Sequence, residues 1–147
     1  MIALVQRVLE SSVEVQGRVV GKIGRGLNIL LGVCKGDTEL DVDKLVNKIV
    51  NLRLFEDESK RMNLSVQDVQ GEVLVVSQFT LVANLRKGRR PSFETAAESQ
   101  EADRLYRLFI EKISNFIRVQ SGVFGVDMKV YILNDGPVTF ILNSKEL

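Results

Sequence analysis

Two short polar segments bring together side chains able to handle a reacting carbonyl. Ser77-Gln78-Phe79-Thr80 follows the apolar run Val73-Leu74-Val75-Val76, and Asn134-Asp135-Gly136-Pro137-Val138-Thr139 follows Val130-Tyr131-Ile132-Leu133. The apolar runs read as buried strands, and strand ends are where a rigid scaffold presents polar groups to a ligand. A hydroxyl, an amide, an aromatic ring and a second hydroxyl in series are not needed to build a core, so a site is the better explanation. Serine and threonine hydroxyls also bond local backbone, which leaves a structural role open on residue types alone. A third cluster, Arg86, Lys87, Arg89 and Arg90, places four cations within five residues of a chain whose formal net charge is only +1. Such a patch either meets an anion or is simply solvated.

The absence of histidine narrows the chemistry further. With no histidine and one cysteine, a Ser-His-Asp triad, a Cys-His pair and a His- or Cys-based zinc site are all excluded. Hydroxyls, amides, carboxylates, Lys/Arg, backbone groups and the substrate's own atoms remain. Thr80 as a nucleophile would need an adjacent base, and no histidine can supply it. Successive backbone N–H groups where a strand turns into a loop can hold an oxyanion, and those of Phe79 and Thr80 are the candidates. Cys34 can form no internal disulfide and reads as a small buried filler at a strand end.

Together with Gln6-Arg7-Val8, the stretch Arg86-Lys87-Gly88-Arg89-Arg90-Pro91-Ser92-Phe93 and the stretch Phe124-Gly125-Val126-Asp127-Met128-Lys129-Val130, these segments resemble the D-aminoacyl-tRNA deacylase family in order and spacing over about residues 1–143. The resemblance implies an ester hydrolase that separates a D-amino acid from the tRNA 3' end, works as a homodimer with active sites shared between subunits, and uses no metal or cofactor. It implies that Ser77, Gln78, Phe79 and Thr80 form the catalytic segment; with no histidine to activate Thr80, the preferred reaction is attack of water on the ester, assisted by the 2'-hydroxyl of the terminal ribose, with Ser77, Gln78 and Thr80 shaping and positioning.

For Gly136-Pro137 the local reading and the resemblance diverge. About 5–6% of X–Pro bonds are cis in folded proteins, so the local expectation is a trans turn. The resemblance implies a cis peptide that reaches into the partner subunit's site. There its carbonyls would accept hydrogen bonds from the substrate ammonium and fill the space of an L side chain. Glycine, with no side chain, would escape that filter, so glycyl-tRNA is an expected substrate. Arg7, with five donors, is the residue expected to fix those carbonyls or a neighbouring turn, the alternative being a solvated strand arginine. Met128 alternates with core positions, and the resemblance adds a place on the pocket wall. Phe124-Gly125 permits close backbone approach to a ligand or is a plain turn. Arg86, Lys87, Arg89 and Arg90 become contacts to tRNA phosphates. The chain departs from the family's usual pattern at Asn84-Leu85 and at Arg89, positions that bear on RNA contacts and not on the catalytic segments.

The elements that must position these groups read as α+β, in one domain over residues 1–147. Strands are expected at 2–8, 12–15, 18–20, 27–33, 73–76, 126–133 and 138–142, with a hairpin at Gln16-Gly17. A helix capped by Asp37 or Thr38 is expected to about residue 52, with Leu40, Leu45, Ile49 and Leu52 on one face, and a second from about residue 100 to 116 through Leu105, Leu108, Phe109, Ile113 and Phe116. The result is about two helices packed on a mainly antiparallel sheet, open or curled into a partial barrel. The longest apolar stretch, residues 27–34, is too short to cross a bilayer. Arg7 and Glu10 interrupt what a signal peptide would require, so the expected location is cytoplasmic. A non-catalytic RNA-binding module would explain the cations but has few aromatics to stack bases. A structural dimer would leave the two polar strand ends unexplained.

Overall fold

The computed structural model describes residues 1–147. In chain order the elements are β1 (Ile2–Val15), β2 (Arg18–Ile23), β3 (Gly26–Gly32), α1 (Glu39–Asn51), β4 (Phe55–Glu56), β5 (Met62–Leu64), β6 (Glu72–Ser77), α2 (Ser99–Ser114), β7 (Arg118–Ser121) and β8 (Lys129–Asn143). β1 is the spine. Along one edge it pairs antiparallel with β3 through Ile2 to Val8 and with β2 through Ser11 to Val15; along the other it pairs with β8 from Ile2↔Asn143 to Glu14↔Lys129. The β1–β2 turn sits at Gln16 and Gly17, with φ of 50° and 78°, the two positive values that a tight two-residue hairpin turn demands.

β6 runs parallel to β3, and β7 parallel to β6. Neither β7 nor the short β4–β5 hairpin was visible as a strand in the sequence, and parallel pairing leaves no local signature. The sheet then curls back on itself. A Cβ built on Gly21 of β2 would lie 2.8 Å from the Ser121 carbonyl oxygen of β7, so only glycine lets these strands meet. The sheet is therefore a nearly closed barrel. Val8, Val13, Ile23, Leu74 and Val76 fill its interior, and a larger core that includes Leu27, Ile29 and Leu31 packs under the two helices.

Thr38 caps α1: its side chain accepts from the Leu40 amide while the Asp41 carboxylate accepts from the Thr38 amide at 2.8 Å. The buried face is Val42, Leu45, Val46, Ile49 and Val50. Leu40 is exposed, because the reciprocal cap turns Asp41 inward and leaves Leu40 facing solvent. α2 buries Leu105, Phe109 and Ile113 as expected, but it ends at Ser114, which leaves Phe116 beyond the last turn and exposed. The last third also differs. Val126 lies in an exposed turn before β8, and residues 129–143 form one strand instead of two. No helix is long and apolar enough to cross a membrane.

Candidate active site

The first polar segment sits where β6 leaves the sheet. The Gln78 amide donates to the Leu31 carbonyl at 2.8 Å, the last tie to β3, and the chain then tightens into a 3₁₀ turn, Phe79–Val82. The first bond inside that turn runs from the Leu81 amide to the Gln78 carbonyl at 3.2 Å. The amides of Phe79 and Thr80 precede it, so the turn offers them no internal partner. The Gln78 side-chain amide bonds the Thr80 hydroxyl, which is exposed.

Beside this turn lies a cleft of about 530 Å3. One wall carries Leu31, Val76, Ser77, Gln78 and Phe79, the opposite wall Phe124, Gly125, Met128 and Val130, and Ala96 and Ala97 close a third side. Six of the sequence-derived site residues thus meet here: Ser77, Gln78 and Phe79 with Phe124, Gly125 and Met128. Met128 packs against the barrel interior and also lines the cleft. Asp127 is the one titratable side chain on the lining, and it pairs with Lys129 at 3.0 Å.

Tyr106 supports the far wall, and nothing in the sequence singles it out. Its hydroxyl donates toward the Val75 and Gly122 carbonyls, 3.2 and 3.3 Å away, and its ring lies 5.8 Å from that of Phe124. Burial pushes the Tyr106 hydroxyl pKa up to about 12.

The second polar segment is built separately. From Gln6 to Val8 on β1, β8 runs from Thr139 back to Asn134, so the intervening residues bulge out of the ladder. The bulge carries a cis Gly136-Pro137 bond, against the local expectation, and both residues are exposed. Asn134 accepts from the Val138 amide at 3.2 Å and its side-chain amide donates to Thr139 at 3.2 Å, closing the bulge across its base. Arg7 is 5% exposed and does not reach solvent. Its Nε donates to the Asp135 carbonyl at 3.1 Å and its Nη1 to the Leu54 carbonyl at 2.8 Å. Neither Arg7 nor Gly136-Pro137 lines the cleft of its own chain. Arg7 stands opposite Leu27 on β3, whereas the cleft begins at Leu31, four residues or about 13 Å further along that strand.

Past the 3₁₀ turn, Asn84 and Ser92 exchange backbone hydrogen bonds of 2.8 and 2.9 Å and close a loop that holds Arg86, Lys87, Arg89 and Arg90. All four side chains are exposed, and none is in an ion pair.

The family model described as D-Tyr-tRNA(Tyr) deacylase matches residues 4–143. Two D-aminoacyl-tRNA deacylases, from Sulfurihydrogenibium sp. (strain YO3AOP1) and Persephonella marina (strain DSM 14350 / EX-H1), are 66% and 62% identical over 147 residues, covering 100% of this chain and 100% of each relative. Among solved structures, one titled c-Myc DNA Unwinding Element Binding Protein is 45% identical with a TM-score of 0.92, covering 97% of this chain and 98% of its own. A probable eukaryotic D-amino acid tRNA deacylase shares the fold at a TM-score of 0.80 with 18% identity, over 96% and 97% of the two chains.

Proposed function

The chain belongs to the D-Tyr-tRNA(Tyr) deacylase family, and from that premise we propose that the cleft beside residues 77–80 seats the 3'-terminal aminoacyl-adenosine of D-aminoacyl-tRNA for attack by water. The activity is that of a hydrolase acting on an ester bond, D-aminoacyl-tRNA deacylation. The observation that carries the reading of the site is the pair of amides, Phe79 and Thr80, left without internal partners at the cleft's edge. As water adds to the ester carbonyl, its oxygen gains charge, and two fixed N–H donors stabilise that charge with no reorganisation at the moment of reaction. Gln78 and Ser77 shape the seat. The one carboxylate on the lining, Asp127, pairs with Lys129, and this reading gives proton handling to the substrate's 2'-hydroxyl.

Selection of the D form, in this reading, comes from a second copy of the chain. The Gly136-Pro137 bulge is exposed, braced by Arg7 and remote from its own cleft, as suits a group inserted into a partner. β8 has one unpaired edge and carries Tyr131, Leu133, Phe140 and Ile141 exposed, an apolar strand that a soluble monomer would not leave bare. Backbone carbonyls placed against the α-carbon admit any D side chain and collide with every L one. Glycyl-tRNA passes the same filter. A cytoplasmic location suits a substrate made there.

The test is hydrolysis of D-alanyl, L-alanyl and glycyl esters of one tRNA, with sedimentation to establish the dimer. D-alanyl and glycyl esters are expected to be cleaved and the L-alanyl ester spared; equal rates for D and L would overturn exclusion by the bulge, and a monomer active at all concentrations would overturn its sharing.

A further inference from the structure

Phe79 and Phe93 form an exposed aromatic pair that no core explains. Their ring centroids are 4.9 Å apart at 56°, Phe79 is 57% exposed and Phe93 39%, and neither belongs to either hydrophobic cluster. Phe79 lines the cleft, whereas Phe93 stands outside it, immediately beyond the loop that ends at Ser92. Phe93 is held in place. The Ala96 amide donates to its carbonyl at 3.0 Å, and the Thr95 hydroxyl donates to the Val82 carbonyl at 2.5 Å, tying this segment to the 3₁₀ turn. The ring pair thus meets the cleft through Phe79, while Phe93 directly follows the loop that carries four cations free of ion pairs.

We propose that Phe93 is a stacking platform for the base of the penultimate nucleotide of the RNA 3' strand, with Phe79 as its inner edge. The inference rests on the deacylase reading, which puts the terminal adenosine in the cleft and obliges the next nucleotide to leave across its rim. An aromatic face accepts a base without reading its edges, and the cations of Arg86, Lys87, Arg89 and Arg90 complement the phosphates that follow. A flexible single strand would thus be fixed at the residue adjoining the reacting ester. Charge complementarity favours a nucleic-acid strand over a peptide as the occupant.

The experiment compares kcat/KM for two small substrates, D-alanyl-adenosine and the D-alanyl ester of the trinucleotide CCA, across the native protein, Phe93→Leu and Phe93→Trp. Leucine keeps an apolar cover on Phe79 but offers no π face. The native protein is expected to prefer the trinucleotide by about 5- to 150-fold, the range of one stacked base. Phe93→Leu should abolish most of that preference through KM, and Phe93→Trp should retain it. A preference that survives Phe93→Leu, or a loss shared equally by both substrates, would assign Phe93 to packing and overturn the proposal. Failure of the native protein to cleave D-alanyl-adenosine at any concentration would instead overturn the seating of the terminal adenosine, and this inference with it.

Discussion

The Arg7 guanidinium donates to the Asp135 carbonyl at 3.1 Å, across 128 positions of sequence, and so couples the first strand to the bulge that carries Gly136-Pro137. The same group holds the Leu54 carbonyl, a bond shielded from water, whereas the bond to Asp135 is partly buried. Lysine has a single donor atom and cannot span both carbonyls. Arg7→Lys is expected to lose about 1–3 kcal/mol in denaturant unfolding, the cost of a buried acceptor left unmatched, and to admit L-alanyl-tRNA measurably. Unchanged stability together with unchanged D/L discrimination would remove Arg7 from this role.

Gly136 has φ of 129°, and a Cβ there would lie 2.7 Å from Val138 Cγ2 and 3.1 Å from Arg7 Nη2. Gly136→Ala should therefore distort the bulge, costing about 1–3 kcal/mol, and reduce discrimination more than it reduces tRNA binding. Equal losses in filter-binding affinity and in D/L ratio would point to general unfolding instead.

Thr80→Ala is expected to keep substantial turnover, because in the proposed route the backbone amide, which survives the substitution, contributes and the hydroxyl does not attack. An obligate nucleophile would cost several orders of magnitude. A tRNA ending in 2'-deoxyadenosine supplies the complementary measurement. Fast cleavage of that substrate, or a folded, tRNA-binding but inactive Thr80→Ala protein, would contradict the substrate-assisted route.

Binding to tRNA should depend on salt through the 84–92 loop. With about 2–4 phosphate contacts at a slope near −0.7 each, affinity should fall roughly 7- to 50-fold between 50 and 200 mM salt. Replacing Arg86, Lys87, Arg89 and Arg90 by glutamine should flatten the slope while kcat at saturation changes little. A slope that stays the same would mark the loop as merely solvated.

Tyr106 makes the protein sensitive to alkali. Its hydroxyl pKa rises from 10.0 to about 12, chiefly through burial, so the folded state favours the neutral phenol. That contribution is complete below pH 10 and is lost as pH rises toward 12. Thermal unfolding followed from pH 9 upward should show a steeper decline for the native protein than for Tyr106→Phe; parallel curves would exclude Tyr106 as the cause.

Local pattern was legible where local physics decides. Gln16-Gly17 announces its hairpin, Thr38 is one of the two caps that the sequence offers for the first helix, and the polar interruption after Val76 marks the strand end that lines the cleft. Parallel pairing of β3, β6 and β7 was not legible, because it depends on partners distant in sequence. Leu40 and Phe116 look like core in a periodic count, yet the first lies on the outer side of the capping turn and the second past the helix end. Tyr106 and Ala96 acquire their places at the cleft only from the fold. The bulge and the cleft share one sequence signal, polar residues after an apolar strand, but the fold separates them.

That separation has a genetic consequence. A chain damaged at Gln78 keeps an undamaged Gly136-Pro137 bulge, and a chain damaged at Gly136 keeps an undamaged cleft, since the two regions share no lining residue. If each site of the proposed dimer draws its cleft from one chain and its bulge from the other, a chain inactive at its cleft and a chain unselective at its bulge complement each other. Their mixed dimer rebuilds one whole site and wastes the other. In such a dimer a lesion belongs to a half-site and not to a chain, because the sister copy carries the missing half intact.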